Sequence, residues 1–365
     1  MTTIDQIDPW SSAQVSDYAH VFKEFGLTPF PPDLAKQIGH HFFERNIVIA
    51  HRDFEKVFAR MKSQKQFINI TGIASSGHYH LGHKADIDLF VFFKRHGAVN
   101  FFSVSDLDAY VSRPDAKVPS LEKAREFAVS NVADLLALGL SEDDIYLQSR
   151  QKPRYYNFAF ELSKKITRNT FEAIYGHIDL GKVSANLLQY ADILHPQLAE
   201  FVGKMPSITG IGLDQDPHAR SVRDIAKRLP YPMEIPSFVY FEHQSGLQEG
   251  TKMSSSEPHT AIFLNDSLKE VEKKIQKAFT GGRPSVEEHR RLGGIPEICK
   301  VCELLKFHQP NKKKYEKTVE EFRSGRMLSG ELKQVAVEHF KDFLESHQAK
   351  RADNMKKAEK IVFGK

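Results

Sequence analysis

The sequence predicts an α/β protein: a doubly wound parallel sheet with a helical insertion, followed by an all-helical C-terminal domain. Three observations carry this. The run "QFINITGIA" (66–74) reads as a strand ending in small residues. It leads through a glycine- and serine-containing loop to the helical period of "LGHKADIDLFVFFKRHG" (81–97) and a second apolar run, "AVNFFSVSD" (98–106). Strand, glycine loop, helix, strand is how a parallel sheet of Rossmann-like type begins. The same order returns in "SITGIGLDQDPHARSVRDIAKRL" (207–229) and "EIPSFVYFE" (234–242), and from Ser267 onward the pattern is almost wholly helical.

Each element has its own signal. Residues 1–66 form an N-terminal extension with weak strand signals, while "PPDLAKQIGHHFFERN" (31–46) and "RDFEKVFARMKS" (52–63) space their apolar residues helically. The 66–74 run is rich in β-branched and aromatic residues. The 81–97 helix closes on basic residues and Gly97. The 98–106 run is apolar enough to be buried on both faces. "SLEKAREFAVSNVADLLALGL" (120–140) is an amphipathic helix, "IYLQS" (145–149) a short strand, and "RYYNFAFELSKKITRNTFEAIYG" (154–176) a further helix. Together the stretch from about 115 to 200 reads as a helical insertion that splits the sheet. The Rossmann-type domain is thus expected over 67–266 and a helical domain over 267–365, its final helix packing back on the first. Ser267 and Glu270 make a capping box at the boundary. No internal repeat or low-complexity segment occurs.

Composition narrows the classes. The chain has 365 residues, 27% charged and 41% hydrophobic, as a globular protein does. Near the motifs the longest apolar run is 89–93, far short of a membrane span. The N-terminal "MTTIDQIDPW" has acidic residues and no apolar core, so no secretory signal and no membrane association are expected. Two cysteines exclude a disulfide framework and suit the cytoplasm. The net charge of +4 is concentrated in lysines of "NKKKYEK" (311–317) and "HQAKRADNMKKAEK" (347–360), which are solvated helix faces or a nucleic-acid surface.

Two motifs carry chemistry. His80-Leu81-Gly82-His83 falls on the first turn of the 81–97 helix. A helix N-terminus presents free N–H groups and partial positive charge, so it attracts phosphate. Histidines three apart share one face, and Gly82 would let a nucleotide approach the backbone. Far downstream, Lys252-Met253-Ser254-Ser255-Ser256 forms a polar loop after the last strand. A flexible lysine followed by small hydroxyl residues suits a clamp on a departing pyrophosphate.

In this order the two motifs resemble the paired signatures of class I aminoacyl-tRNA synthetases, with Ser255 where a lysine is usual. "GLDQDPHARSVRDIA" (212–226) is similar to the tryptophanyl members. "DPW" (8–10), "AHRDFEKV" (50–57), "AFTGG" (278–282), "GELK" (330–333) and "HQAKR" (347–351) are similar to their archaeal and eukaryotic branch. The resemblance implies ATP-dependent activation of L-tryptophan and its transfer to tRNA(Trp), with Mg²⁺ held largely by the phosphates and a homodimer formed through the insertion. It implies catalytic roles for His80, His83 and Lys252. ATP would be bound by these with Ser75, Ser76, Gly82, Gly212, Asp214, Met253, Ser254, Ser255 and Ser256. Gln189 and Gln215 would hold the amino acid.

Side-chain recognition departs from the family pattern. The eukaryotic branch has a tyrosine before the Thr-Gly pair and a glutamine at the end of the second strand, where this sequence has Ile70 and Ser103. Asp108 is the candidate acceptor for the indole N–H, with Ser103 second. "SDLDAY" (105–110) is also similar to tyrosyl enzymes, which leaves a tyrosine substrate open. A small-molecule nucleotidyltransferase and an RNA-binding paralogue that no longer charges tRNA are the other readings. Cys299 and Cys302 supply half of a tetrahedral zinc site, with no second cysteine pair to complete it, so no metal site is expected.

Overall fold

The computed structural model describes residues 18–176, 179–251, 253 and 257–364; "DPW" lies outside them. Seven strands form one sheet: β1 (Thr28–Pro29), β2 (Val48–Arg52), β3 (Ile68–Ala74), β4 (Val99–Ser105), β5 (Ile145–Leu147), β6 (Ser207–Gly212) and β7 (Ser237–Phe241). Their spatial order is β1-β2-β7-β6-β3-β4-β5. From β3 onward the strands are parallel, and the order runs outward from β3 in both directions. The reversal therefore lies between β3 and β6, the place where open α/β sheets bind ligands.

The described residues of the N-terminal extension form four helices: α1 (Tyr18–Phe25), α2 (Pro32–Ile38), α3 (His41–Glu44) and α4 (Phe54–Lys62). Helix α5 (Leu81–Arg95) crosses from β3 to β4, while α6 (Asp106–Ser112) and α7 (Leu121–Ala137) cross from β4 to β5. Between β5 and β6 lie α8 (Pro153–Ser163), α9 (Arg168–Tyr175) and α10 (Leu180–Leu194); α11 (Asp216–Lys227) returns from β6 to β7. The C-terminal region is α12 (Leu268–Lys277), α13 (Val286–Leu292), α14 (Lys300–His308), α15 (Lys312–Arg323) and α16 (Ser329–Phe363). Ser267 Oγ accepts the Glu270 N–H at 3.2 Å at the start of α12. No helix among the described residues is long and apolar enough to cross a membrane.

Three sequence expectations need correction. The sheet is mixed, because the extension adds β1 and β2 to it: β2 runs antiparallel to β7, with His51 opposite Val239. "VIAHR" has only two β-branched residues, and pairing and burial decide its state. The sheet is also not split at 115, since β5 pairs in parallel with β4 and the irregular insertion begins only at α8. Finally, 154–176 holds two helices. The break precedes Thr167, whose side chain accepts the Thr170 N–H at 3.1 Å and starts α9.

The C-terminal helices share a continuous core with the sheet: Phe102 and Val104 of β4, Val132 and Leu135 of α7, and Phe340 and Leu344 of α16 are buried in one cluster. Where α16 crosses α7, buried Asp134 accepts a hydrogen bond from His347 Nε2 at 3.0 Å and lies 2.9 Å from Arg351 Nε. Cys299 caps α14, its Sγ accepting the Cys302 N–H at 3.4 Å. Replacing Asp134 with alanine should lower unfolding stability by about 3–5 kcal/mol, as expected for stranding one side of a buried charged pair. The urea midpoint reads this, and an unchanged midpoint would mean that apolar contacts alone hold α16.

Candidate active site

Strands β3 and β6 pair only at Ile68–Ser207 and Asn69–Ile208. Beyond these they diverge, and a cavity of about 400 Å³ opens between their C-terminal halves. Thr71 to Ala74 form one wall and Gly210 to Gly212 the other, with α10 and the N-terminus of α5 closing the ends. A second, polar cavity of about 230 Å³ continues past α5, lined by Ser76, His78, His80, His83, Arg113 and Lys117.

The histidine motif occupies the junction of the two cavities. His80 caps α5, its Nδ1 accepting the Gly82 N–H at 3.1 Å, while its own N–H donates to His83 Nδ1 at 3.2 Å. The rings stack with centroids 3.9 Å apart. Each Nδ1 is used as an acceptor, so in the neutral ring the proton sits on Nε2, which makes that atom the donor. Burial, with the Lys117 charge second, pulls the His83 imidazole down to about 4. Gly82 lines the large cavity and has a further purpose: a Cβ there would lie 2.9 Å from His80 Cε1. The glycine makes room for the capping imidazole.

On the β6 side, Gly212 is required by close approach, since a Cβ would come within 2.4 Å of the His243 ring. His243 Nε2 donates to Asp214 Oδ1 across that gap. Gln215 Nε2 donates to the other carboxylate oxygen at 2.9 Å, so Asp214 and Gln215 are held together on the cavity wall. The next acid, Asp216, is withdrawn and fully buried. It accepts from Tyr240 OH at 2.6 Å and pairs with Arg52 at 3.0 Å, which locks α11 to β2.

Of the side-chain recognition candidates, only Asp108 reaches the cavity. Its Oδ1 accepts from Ser112 Oγ at 2.8 Å, and burial raises its carboxyl pKa. Ile70 and Ser103 are buried and line neither cavity. Ser103 sits behind Gly72, whose missing Cβ would fall 2.7 Å from Ser103 Cβ. Its hydroxyl is committed to Ser105 and Asp192. Asp192, which sequence reasoning missed, also accepts from Tyr146, Tyr155 and Gln148 at 2.7 Å each, and burial still raises it to about 6. Gln189 lines the cavity from α10, one turn beyond Asn186. Asn186 is a second omission: it is buried, lines the same wall and has an unpaired Nδ2. Nothing in "SANLLQYADIL" (184–194) marks these residues apart from an ordinary helix.

Ser76 lines the polar cavity, whereas Ser75 is fully buried with its hydroxyl unpaired. Lys252, Ser254, Ser255 and Ser256 lie outside the described residues. Met253 lines both cavities. The chain following this second motif is tied to the first: Leu81 N–H donates to Ile262 O and Leu264 N–H to Tyr79 O, each at 2.9 Å. Among the described residues no group of three His, Cys, Asp or Glu could hold a metal ion. The donors facing the cavities are mostly imidazoles, carboxamides and cations, so the residues do not fit a resident Mg²⁺ cage.

The family model described as tRNA synthetases class I (W and Y) matches residues 61–345. The tryptophan–tRNA ligase of Methanocaldococcus jannaschii is 38% identical, with 99% of both chains covered. The chain belongs to the tryptophanyl-tRNA synthetases of class I. The corresponding ligase of Hyperthermus butylicus is also 38% identical over 94% of each chain. The crystal structure of the tryptophanyl-tRNA synthetase of Aeropyrum pernix superimposes with a TM-score of 0.87, 35% identity and 98% coverage of both chains. A likeness of this extent spans the extension, the sheet and the C-terminal helices together.

The histidine geometry in this family member makes a pH prediction. An imidazole that titrates near 6.5 in the unfolded chain and about 4 when folded binds fewer protons in the native state. Its contribution to stability is complete above pH 6.5 and is lost as pH falls toward 4. NMR titration should keep the His83 ring neutral until about pH 4. A titration near the ordinary histidine value would contradict the half-buried, Nδ1-accepting ring.

Proposed function

We propose that this protein condenses L-tryptophan with Mg²⁺–ATP to an enzyme-bound tryptophanyl-adenylate and pyrophosphate, then transfers tryptophan to the terminal ribose of tRNA(Trp). The observation that carries this reading is the pair of joined cavities at the β3–β6 divergence, with the stacked His80–His83 cap between them. Adenosine fits the glycine wall at Gly212 and Asp214. The triphosphate fits the polar cavity, where His80 and His83 offer Nε2–H donors. Gln189 and Gln215 are assigned the amino and carboxyl groups common to amino acids.

The first step is an in-line attack by the substrate carboxylate on the α-phosphorus. It needs no protein nucleophile, so positioning and charge stabilisation supply the rate. Lys252 is assigned to the departing pyrophosphate. Met253, the next residue of that motif, lines the polar cavity together with His80. The magnesium ion travels with the phosphates as part of the substrate.

For the indole N–H, Asp108 is the acceptor this reading selects. Asp192 already receives four hydrogen bonds, which leaves its carboxylate little capacity, whereas Asp108 faces the cavity. The lysine-rich C-terminal helices are assigned to tRNA. Dimerisation through the insertion is supported by Phe160 and Leu180, which are 76% and 79% exposed. A cytoplasmic setting agrees with the two buried free thiols.

The deciding experiment is ATP–pyrophosphate exchange with each of the twenty amino acids. Tryptophan should be strongly preferred over tyrosine, and a tyrosine preference would overturn the substrate. Asp108→Ala should weaken tryptophan activation by about 2–4 kcal/mol, the size of a charge-assisted hydrogen bond plus the group left unpaired. If Asp192→Asn has that effect while Asp108→Ala has none, the acceptor assignment moves. Lys252→Ala should slow adenylation by roughly ten- to a thousandfold with tryptophan affinity nearly unchanged. Loss of tryptophan binding at normal turnover would instead give this lysine a structural role.

A further inference from the structure

Among the described residues six line both cavities, and only one of these, Arg113, carries a permanent positive charge. It follows α6 directly and belongs to neither signature motif. Its Nε is buried without a hydrogen-bond partner, and among the described residues no ion pair includes it. Lys117, four residues on, lines the polar cavity close enough that the Arg113 charge adds to burial in lowering its pKa. Asp108 feels the same guanidinium, which works against the upward push of burial on that carboxyl. Two cations held near one another with one guanidinium nitrogen unsatisfied make an arrangement that a bound anion would relieve.

We propose that Arg113 contacts the α-phosphoryl oxygens of bound ATP and stabilises the charge that develops there during adenylate formation. The inference rests on the function proposed above and assigns a further residue to the same site. Position singles out the α-phosphorus. The large cavity holds the groups assigned to adenosine and amino acid, and the small one those assigned to the polyphosphate. The phosphorus at which bonds are exchanged must lie where the two meet. There a carboxylate oxygen of tryptophan forms the new O–P bond while the P–O bond to the β-phosphate breaks. The bonding pair leaves with pyrophosphate, and no proton is transferred. A planar guanidinium offers parallel N–H donors to two non-bridging oxygens, which an ammonium group cannot match.

The test compares wild type, Arg113→Ala and Arg113→Lys in exchange with ATP and with the two α-thio diastereomers of ATP. Arg113→Ala should lower the exchange kcat by about a hundred- to a thousandfold, as for loss of one transition-state donor, with KM for tryptophan changed by less than about threefold. Arg113→Lys should fall between. The wild type should discriminate between the diastereomers, and that discrimination should shrink in Arg113→Ala. The urea midpoint of Arg113→Ala and its equilibrium affinity for tryptophan should match the wild type, which a misfolded variant would not achieve. An unchanged exchange rate in Arg113→Ala, or an undiminished diastereomer preference, would overturn the inference. Absence of exchange by the wild type with every amino acid would instead remove the proposed function on which it stands.

Discussion

The architecture of the site follows from where β3 and β6 stop pairing. Past Asn69 and Ile208 each strand keeps its outer neighbour, β3 pairing with β4 as far as Ala74 and β6 with β7 as far as Gly212. Their inner edges are left facing a cavity. Unpaired peptide groups are costly to bury without partners, so a ligand with donors and acceptors belongs there. The glycines accommodate close contacts around the opening. Gly72 packs on Ser103, Gly210 on Leu89 and Gly212 on His243.

The stacked histidines depend on this opening for access and on α5 for their orientation. Each stabilises the other's position: the His80 ring accepts from Gly82, and the His83 ring accepts from the His80 backbone. The pair caps the helix, and the function proposed above makes it a phosphate donor as well, so the two readings its sequence allowed are compatible. The cap is braced from behind by the chain after the second motif, through the Tyr79–Leu264 and Leu81–Ile262 hydrogen bonds. The C-terminal helices join the same core through α7 and α16, so the surface assigned to tRNA is mechanically continuous with the sheet.

Much of this was legible in the sequence because it is local. The β3–loop–α5–β4 order, the β6–α11–β7 return and the placement of His80, His83, Gly212, Asp214, Gln189 and Gln215 all follow from periodicity, glycine positions and motif resemblance. What escaped is long-range. β2 is a strand because β7 offers it a partner. Asp192 gathers donors from β4, β5 and α8 that no spacing relates. Arg113 matters only because two cavities converge on it. Gly82 lines the cavity and also makes room for the His80 ring, a packing reason no motif reveals, and the recognition roles given to Ile70 and Ser103 find no support in the cavity wall.

The account stands on one claim, that a single ligand spans both cavities with its phosphorus at the histidine cap. The most direct measurement is a crystal structure with a non-hydrolysable tryptophanyl-adenylate analogue. The account predicts adenosine against Gly212 and Asp214, the indole toward Asp108, and the phosphate mimic within hydrogen-bonding reach of the His80 and His83 Nε2 atoms. An analogue seated away from the β3–β6 opening, or one whose phosphate mimic lies on the far side of the cavity from both histidines, would contradict it.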